Sequence, residues 1–302
     1  MEKQNNKLAL LKWVGGKSKL IPSMNNMFPK NINNYYELFV GGGSILLYVL
    51  ENIRNNNIKI TGNIYAYDIN KNLINFYKQI QSNCEEFYIS VKKLIDEYNK
   101  CKNNVINRNP NSIDEALENK ENYYYWIRKQ YNNTSYDTLE NAAYFIFLNK
   151  TCFRGLYREG KNGFNVPYGN YKNPSILKYD DLIYVSNLIK CVVFKDLDFK
   201  ESLKEINGND CFVFLDPPYI KDNVKTFVSY NNNGFGKKET KYLIETIKNK
   251  QCNFTLCNYE NEIIKNEFKN NSYKKQTIQC CRYINSKDPS KKETEIFITN
   301  IN

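Results

Sequence analysis

Asp216-Pro217-Pro218-Tyr219 puts a carboxylate, a rigidly aimed carbonyl and an aromatic ring within four residues. Proline lacks an N–H and fixes its own φ, so the chain leaves the acid stiffly and can turn carbonyls outward. Two acceptors beside a flat ring suit an exocyclic amine on a planar base. They offer nothing suited to attacking a phosphate. Just upstream, Cys211-Phe212-Val213-Phe214-Leu215 is a short apolar run that reads as a buried parallel strand. A carboxylate at the carboxyl end of such a strand stands where open α/β sheets bind ligands.

Three further constellations carry chemistry. Gly41-Gly42-Gly43-Ser44 separates a strand-like run, 35–40, from a helix-like one, 45–50. Such a turn lets a ligand approach the backbone at a positive helix end. Glu37 and Phe39 precede Gly41 and Gly43 on that strand, and Asp68 ends the following one, where an acid can hold a ribose hydroxyl pair. A tight turn without a ligand would look the same, and Glu37 could be an exposed, inert carboxylate. No GxxxxGK[ST] run is present, which argues against an NTPase. In Lys12-Trp13-Val14-Gly15-Gly16-Lys17 a ring and an ammonium could form a cofactor lid, although Trp13 could equally plug a core. Between Thr151 and Lys172, four basic residues interleave with five aromatic ones around four glycines, and Gly160 to Gly163 reads as a hairpin tip. Arginine can read guanine, lysine can meet phosphate, and rings can wedge between bases; a plain solvated hairpin is the alternative.

The elements that must position these groups follow from periodicity. Runs at 35–40, 64–68, 191–194, 211–215 and 252–257 read as strands, with helices at 45–50 and through Leu73, Ile74, Phe76 and Tyr77. That series predicts an α/β fold: a Rossmann-like, doubly wound mixed sheet. The last pair, about 275–284 and 293–300, predicts an antiparallel hairpin at the sheet edge. Residues 84–185 read differently, with helical runs at 123–128 and 142–148 before the basic–aromatic hairpin and a polar loop at 103–111. The expected division is therefore a catalytic domain of 1–83 and 186–302 and a helical insert of 84–185.

Bulk properties narrow the classes. The chain has 302 residues, a net charge of +11 and no histidine. The charge favours a polyanionic partner, although a lysine-rich solvated surface gives the same number. Lack of histidine excludes Ser-His-Asp and Cys-His nucleophile pairs and every His-ligated metal site. Nine cysteines without a CxxC pair suggest neither a zinc knuckle nor a disulfide framework, so buried thiols are expected. No signal peptide and no apolar run of about 18 residues is visible. A reducing, cytoplasmic location without membrane or metal partners is expected.

Together the segments resemble the class alpha adenine-N6 DNA methyltransferases, the D12 class of Dam and DpnM type. The resemblance rests on Lys12 to Lys17, Phe39 to Ser44, Asp68-Ile69-Asn70, Phe164 to Lys172 and Asp216 to Tyr219, in that order. Thr294 to Asn300 is similar to that family's last strand. The resemblance implies S-adenosyl-L-methionine as cofactor, with Trp13, Lys17, Asp68, Ile69 and Asp216 at cofactor positions and Asp198-Phe199 holding the adenine ring. It also implies double-stranded DNA as partner, with 84–185 as target-recognition domain and Lys12, Phe153, Arg154, Leu156, Arg158 and Pro167 at the target. Arg154 stands where Dam-like members carry Asn, which puts a GATC-like read in question.

The implied reaction flips an adenine out of the duplex. Asp216 and the Pro217 carbonyl then accept the N6 hydrogens, while Tyr219 stacks on the base behind Pro218. No proline precedes a cysteine, so a cytosine-C5 nucleophile is absent. A restriction–modification or other DNA-marking role is the expected setting, the former with a partner endonuclease acting on the same site. A catalytically silent DNA-binding relative and an RNA adenine methyltransferase are the alternatives.

Overall fold

The computed structural model describes residues 9–208, 210–219, 235–270, 272–281 and 292–301. These fall into two compact units. One comprises the described residues up to Gly16, Gly41–Leu47 and Asn70–Lys190; the other comprises Lys17–Val40, Tyr48–Ile69 and the described residues from Cys191 onward.

Short strands β1 (Asn31–Ile32) and β3 (Lys59–Ile60) pair in parallel beside a seven-stranded sheet in the second unit. The sheet comprises β2 (Tyr35–Glu37), β4 (Ile64–Asp68), β7 (Val192–Asp196), β8 (Phe212–Leu215), β9 (Asn253–Tyr259), β10 (Lys274–Cys281) and β11 (Lys292–Thr299). Its order is β10-β11-β9-β8-β2-β4-β7. The five strands from β9 to β7 run parallel, while β11 and β10 are antiparallel additions at one edge. This is the doubly wound mixed sheet that the sequence predicts, with the expected terminal antiparallel pair as its edge. The strand predicted over 35–40 is regular only to Glu37. Beyond it the chain begins to turn, yet Leu38 N still bonds Phe214 O (3.3 Å) and Val40 N bonds Tyr67 O (2.9 Å).

Alternation along each strand separates the two faces. Helices α8 (Phe199–Glu205), α9 (Lys237–Lys248) and α10 (Glu262–Glu267) cover one face, where Leu203, Leu243, Ile244 and Ile264 pack on Val213, Leu215, Leu256 and Ile298. On the opposite face Phe28 stacks on Phe214 at 5.7 Å and meets Phe212 edge-on at 5.5 Å. Helix α1 (Ser44–Arg54) follows the glycine turn, and its Tyr48 ring lies 5.3 Å from Phe28.

The first unit is mainly helical: α2 (Lys71–Ser82), α3 (Cys84–Lys100), α4 (Ile113–Leu117), α5 (Lys120–Asn133), α6 (Leu139–Thr151) and α7 (Tyr179–Leu188). Asn70, Ser112, Asn119 and Thr138 cap α2, α4, α5 and α6 by accepting a backbone N–H, which fixes where each begins. The predicted hairpin is β5 (Glu159–Gly160) and β6 (Gly163–Phe164), antiparallel around a two-residue tip. Cys152, Cys211, Cys252 and Cys257 are buried free thiols, whereas Cys191 is exposed. Among the described residues, no helix is long and apolar enough to cross a membrane.

Candidate functional site

The sheet alternation that buries Phe212 and Phe214 also aligns polar groups. Glu37 is the register partner of Phe214, which in turn pairs with Thr255; Cys257 lies two residues beyond Thr255 and pairs with Phe297, and Glu295 lies two before Phe297. Glu37, Cys257 and Glu295 therefore share one face at the carboxyl ends of the parallel strands. Asp216 emerges beside them, directly after β8.

Lys17 supplies the positive charge. Its Nζ donates to Asp216 Oδ2 at 2.6 Å, stands 3.8 Å from Glu295 Oε2 and lies 4.9 Å over the Tyr219 ring. Tyr219 Oη donates to Glu295 Oε2 at 3.1 Å, and Tyr35 Oη donates to Glu37 Oε2 at 2.7 Å. Side-chain exposure is 2% for Lys17, 6% for Glu295 and 20% for Asp216, so Asp216 is the best placed of the three to meet a ligand. Pro217 is buried, which anchors the carbonyl that follows the acid.

Burial sets the protonation of this cluster. It works against the Lys17 charge, but Asp216 and Glu295 more than offset it and hold the ammonium above its usual range. Glu37 is pushed from 4.5 up to about 8, chiefly by burial and against the Tyr35 hydrogen bond, with Asp216 and Asp68 adding repulsion. The Cys257 thiol and the Tyr219 phenol are driven well up, first by burial and then by Asp216. The arrangement thus keeps one ammonium charged among acids and keeps the thiol and phenol protonated.

In the same unit the rings of Phe39 and Phe199 lie 6.1 Å apart at 26°, with Phe235 edge-on to Phe39 at 5.8 Å. Asp198 caps α8, accepting from Lys200 N at 2.9 Å. Asp68 closes β4, and Ile69 after it is 44% exposed.

In the first unit Trp13 lies on the glycine turn. A Cβ on Gly41, whose φ is +47°, would stand 2.9 Å from the Trp13 ring, and one on Gly43 (φ +71°) would stand 2.6 Å from Tyr77 Oη. Tyr77 Oη also donates to Gly41 O at 2.9 Å, tethering the turn. The Trp13 ring packs on Tyr157 at 5.9 Å and 28°. The glycines are therefore required by close packing and by left-handed backbone together.

Lys12 exchanges two backbone bonds with the Asn149 side chain, donates Nζ to Lys150 O at 3.2 Å and lies 4.0 Å over Tyr171. The hairpin closes beside it: Phe153 N bonds Pro167 O at 2.8 Å, and the Arg158 guanidinium bonds Asn165 Oδ1 (2.6 Å) and O (3.2 Å). Phe153, Arg154, Arg158 and Pro167 are exposed and Leu156 is half-buried, while Val166 is buried and held by the Tyr124 hydroxyl at 2.7 Å. Arg154 takes φ +56°, a left-handed conformation in which Asn is far commoner than Arg.

Sequence reasoning missed Tyr35, Cys257, Tyr259 and Glu295. A signal was available: Glu295 shares a strand face with Phe297, and an acid buried beside it needs partners. Tyr35 lies two residues before Glu37, hence on the same face.

A family model for D12 class N6 adenine-specific DNA methyltransferases matches residues 13–280. The chain is 37% identical over 234 residues to the type II methyltransferase M.MjaIII of Methanocaldococcus jannaschii, covering 74% of each chain. It is 30% identical over 311 residues to the type II methyltransferase M1.LlaDCHI of Lactococcus lactis subsp. cremoris, covering 98% of each. It is also 30% identical over 275 residues to a DNA adenine methylase of Haemophilus influenzae, covering 89% of this chain and 85% of that one.

Proposed function

The chain belongs to the D12 class of N6 adenine-specific DNA methyltransferases, and from that premise we propose that it methylates N6 of an adenine flipped from a short duplex site, using S-adenosylmethionine. The observation that carries this reading is Asp216, the most exposed acid of a sheltered charge cluster, followed at once by the buried Pro217 and the clamped Tyr219.

The residues fit the cofactor chemically. Phe39, half-buried and backed by the buried Phe199, offers a ring surface near Asp198 for a purine, Asp68 with Ile69 offers an acid for a ribose, and the buried Lys17, already paired with Asp216, is assigned to a carboxylate. Trp13, Glu37, Gly41, Gly43 and Asp216 complete the set assigned to it. When bound, the cofactor supplies an electrophilic sulfonium methyl group. The protein's part is to make the amine reactive. Adenine N6 is a poor nucleophile because its lone pair is delocalised into the ring. Asp216 and the Pro217 carbonyl each accept one N6 hydrogen, which favours the rehybridised amine, and Tyr219 stacks on the base. Positioning and preorganised electrostatics supply the rate gain; extruding the base costs a few kcal/mol.

Residues 84–185 are assigned to target recognition and 1–83 with 186–302 to catalysis. Lys12, Phe153, Arg154, Leu156, Arg158 and Pro167 form the proposed DNA surface. Arg158 is held by Asn165 through Nε and Nη2, so its fork arrives at a base preoriented. Arg158→Ala is expected to relax selectivity at one base position and to cost about 1–3 kcal/mol of discrimination there; competition binding against substituted duplexes measures it. A uniform loss across all sequences would assign Arg158 to phosphate instead. Binding is expected to weaken steeply with salt, in keeping with the +11 charge.

The type II naming of two relatives supports a restriction–modification role beside an endonuclease acting on the same site, with the enzyme in the cytoplasm alongside its DNA. Methylation-sensitive sequencing of DNA from cells expressing the chain tests the reading. N6-methyladenine at one short motif, GATC-like or otherwise, supports it; DNA with no new N6-methyladenine overturns it.

A further inference from the structure

Tyr219 is gripped by a pair of residues that face each other across the sheet. Glu295 on β11 and Tyr259 on β9 are direct register partners in an antiparallel pair, so their side chains leave the same face together. Glu295 accepts the Tyr219 hydroxyl at 3.1 Å, and the Tyr259 ring meets the Tyr219 ring at 4.7 Å and 69°. Glu295 is itself 4% exposed and stands 3.8 Å from the Lys17 ammonium. A buried acid is costly unless it is paired, and this one is paired with the phenol of the stacking ring and with the Lys17 ammonium. The Asp216 carboxylate is also a hydrogen-bond partner of that phenol, so the two acids compete for one hydrogen.

We propose that Glu295 is the positioning residue for Tyr219, fixing the ring that stacks on the target base and drawing the phenol hydrogen away from Asp216. The second effect matters as much as the first. A phenol that donates to Asp216 occupies an acceptor the adenine N6 hydrogen requires. When the hydroxyl donates to Glu295 and Lys17 donates to Asp216 Oδ2, the acid presents its remaining lone pairs to the substrate. Tyr259 holds the ring edge, so the plane of the stack is set from below by the sheet.

The proposal rests on the adenine-methylating reading, and the experiment separates the two. Turnover of the wild-type chain on unmethylated duplex DNA with S-adenosylmethionine is measured first, and failure there removes the reading rather than this proposal. With turnover established, Glu295→Met is expected to lower kcat by about 10-fold or more, the scale of losing a hydrogen bond to a charged group, with KM for DNA little changed. Glu295→Gln, whose amide oxygen still accepts the phenol, is expected to recover most of that loss. Tyr219→Phe is expected to match Glu295→Met, and the double variant to be no slower than either alone. Wild-type kcat in Glu295→Met, a Gln variant no better than Met, or multiplicative losses in the double variant would each overturn the proposal. Thermal unfolding of every variant separates lost positioning from lost fold.

Discussion

Asp216→Ala is expected to lower kcat for adenine methylation by about 10²-fold or more, the scale of removing one preorganised polar contact from a reaction centre. Two effects of that substitution run in parallel. One is chemical: an acceptor for the N6 hydrogen disappears, and the lone pair stays in the ring. The other is structural. Lys17 is 2% exposed and donates to Asp216 at 2.6 Å, leaving Glu295 at 3.8 Å as its remaining acid. Breaking a buried pair by removing one partner typically costs about 3–5 kcal/mol, and the partial exposure of Asp216 places this case toward the lower end. The variant is therefore expected to be both slow and less stable.

The two effects can be pulled apart. Lys17→Met combined with Asp216→Ala removes both members of the close pair, so it is expected to regain part of the stability in a urea titration, short of the whole because Glu295 loses its ammonium, while turnover stays at the level of Asp216→Ala or below. A double variant that recovers turnover along with stability would show that Asp216 acts through the fold and not on the amine. Near-normal turnover in the single variant would remove Asp216 from the chemistry altogether.

How much of this was legible in the sequence depends on the range of the forces involved. The strands ending at Asp68 and Leu215, the glycine turn between strand and helix, and the hairpin tip at Gly160 to Gly163 are local events. Periodicity, left-handed glycine and proline stiffness write them within a few residues. The cluster around Lys17 is not local. Lys17 meets Asp216 across 199 positions of chain, and Tyr219 meets Glu295 across 76. Nothing near Lys17 in sequence announces two acids. What could have announced them is parity: a charged residue on the same strand face as a buried ring must find a partner, and Glu37 beside Tyr35 and Glu295 beside Phe297 both occupy such positions. Asp198 shows the converse, since its residue type suits a ligand and a helix cap equally, and the cap is visible as a bond to Lys200 N.

Glu37 carries the second large expectation, and it concerns stability against pH. Its carboxyl is pushed from 4.5 up to about 8 in the folded protein, mainly by burial. Between those values the folded state holds a proton that the unfolded chain has released. Unfolding then releases a proton, so raising the pH favours the unfolded state, by about 1.4 kcal/mol per pH unit, until the folded group itself ionises near 8. The stabilising contribution is complete below 4.5 and gone above about 8. The background is unusually clean, because the chain has no histidine to titrate in that window. Lys150, lowered to about 8 chiefly by burial, acts above the window and with the opposite sign: its unfolded form binds the extra proton, so stability rises with pH there. Lys17 is held above 10.5 and contributes only in stronger alkali. Urea midpoints followed by circular dichroism from pH 5 to pH 8 should therefore fall steadily in the wild type. Glu37→Gln keeps an acceptor for the Tyr35 hydroxyl but binds no proton, and it is expected to flatten that slope and to be more stable than the wild type at pH 8. A Gln variant that retains the full slope would place the proton on another group, and a wild type with no slope would mean that Glu37 is already ionised in the fold.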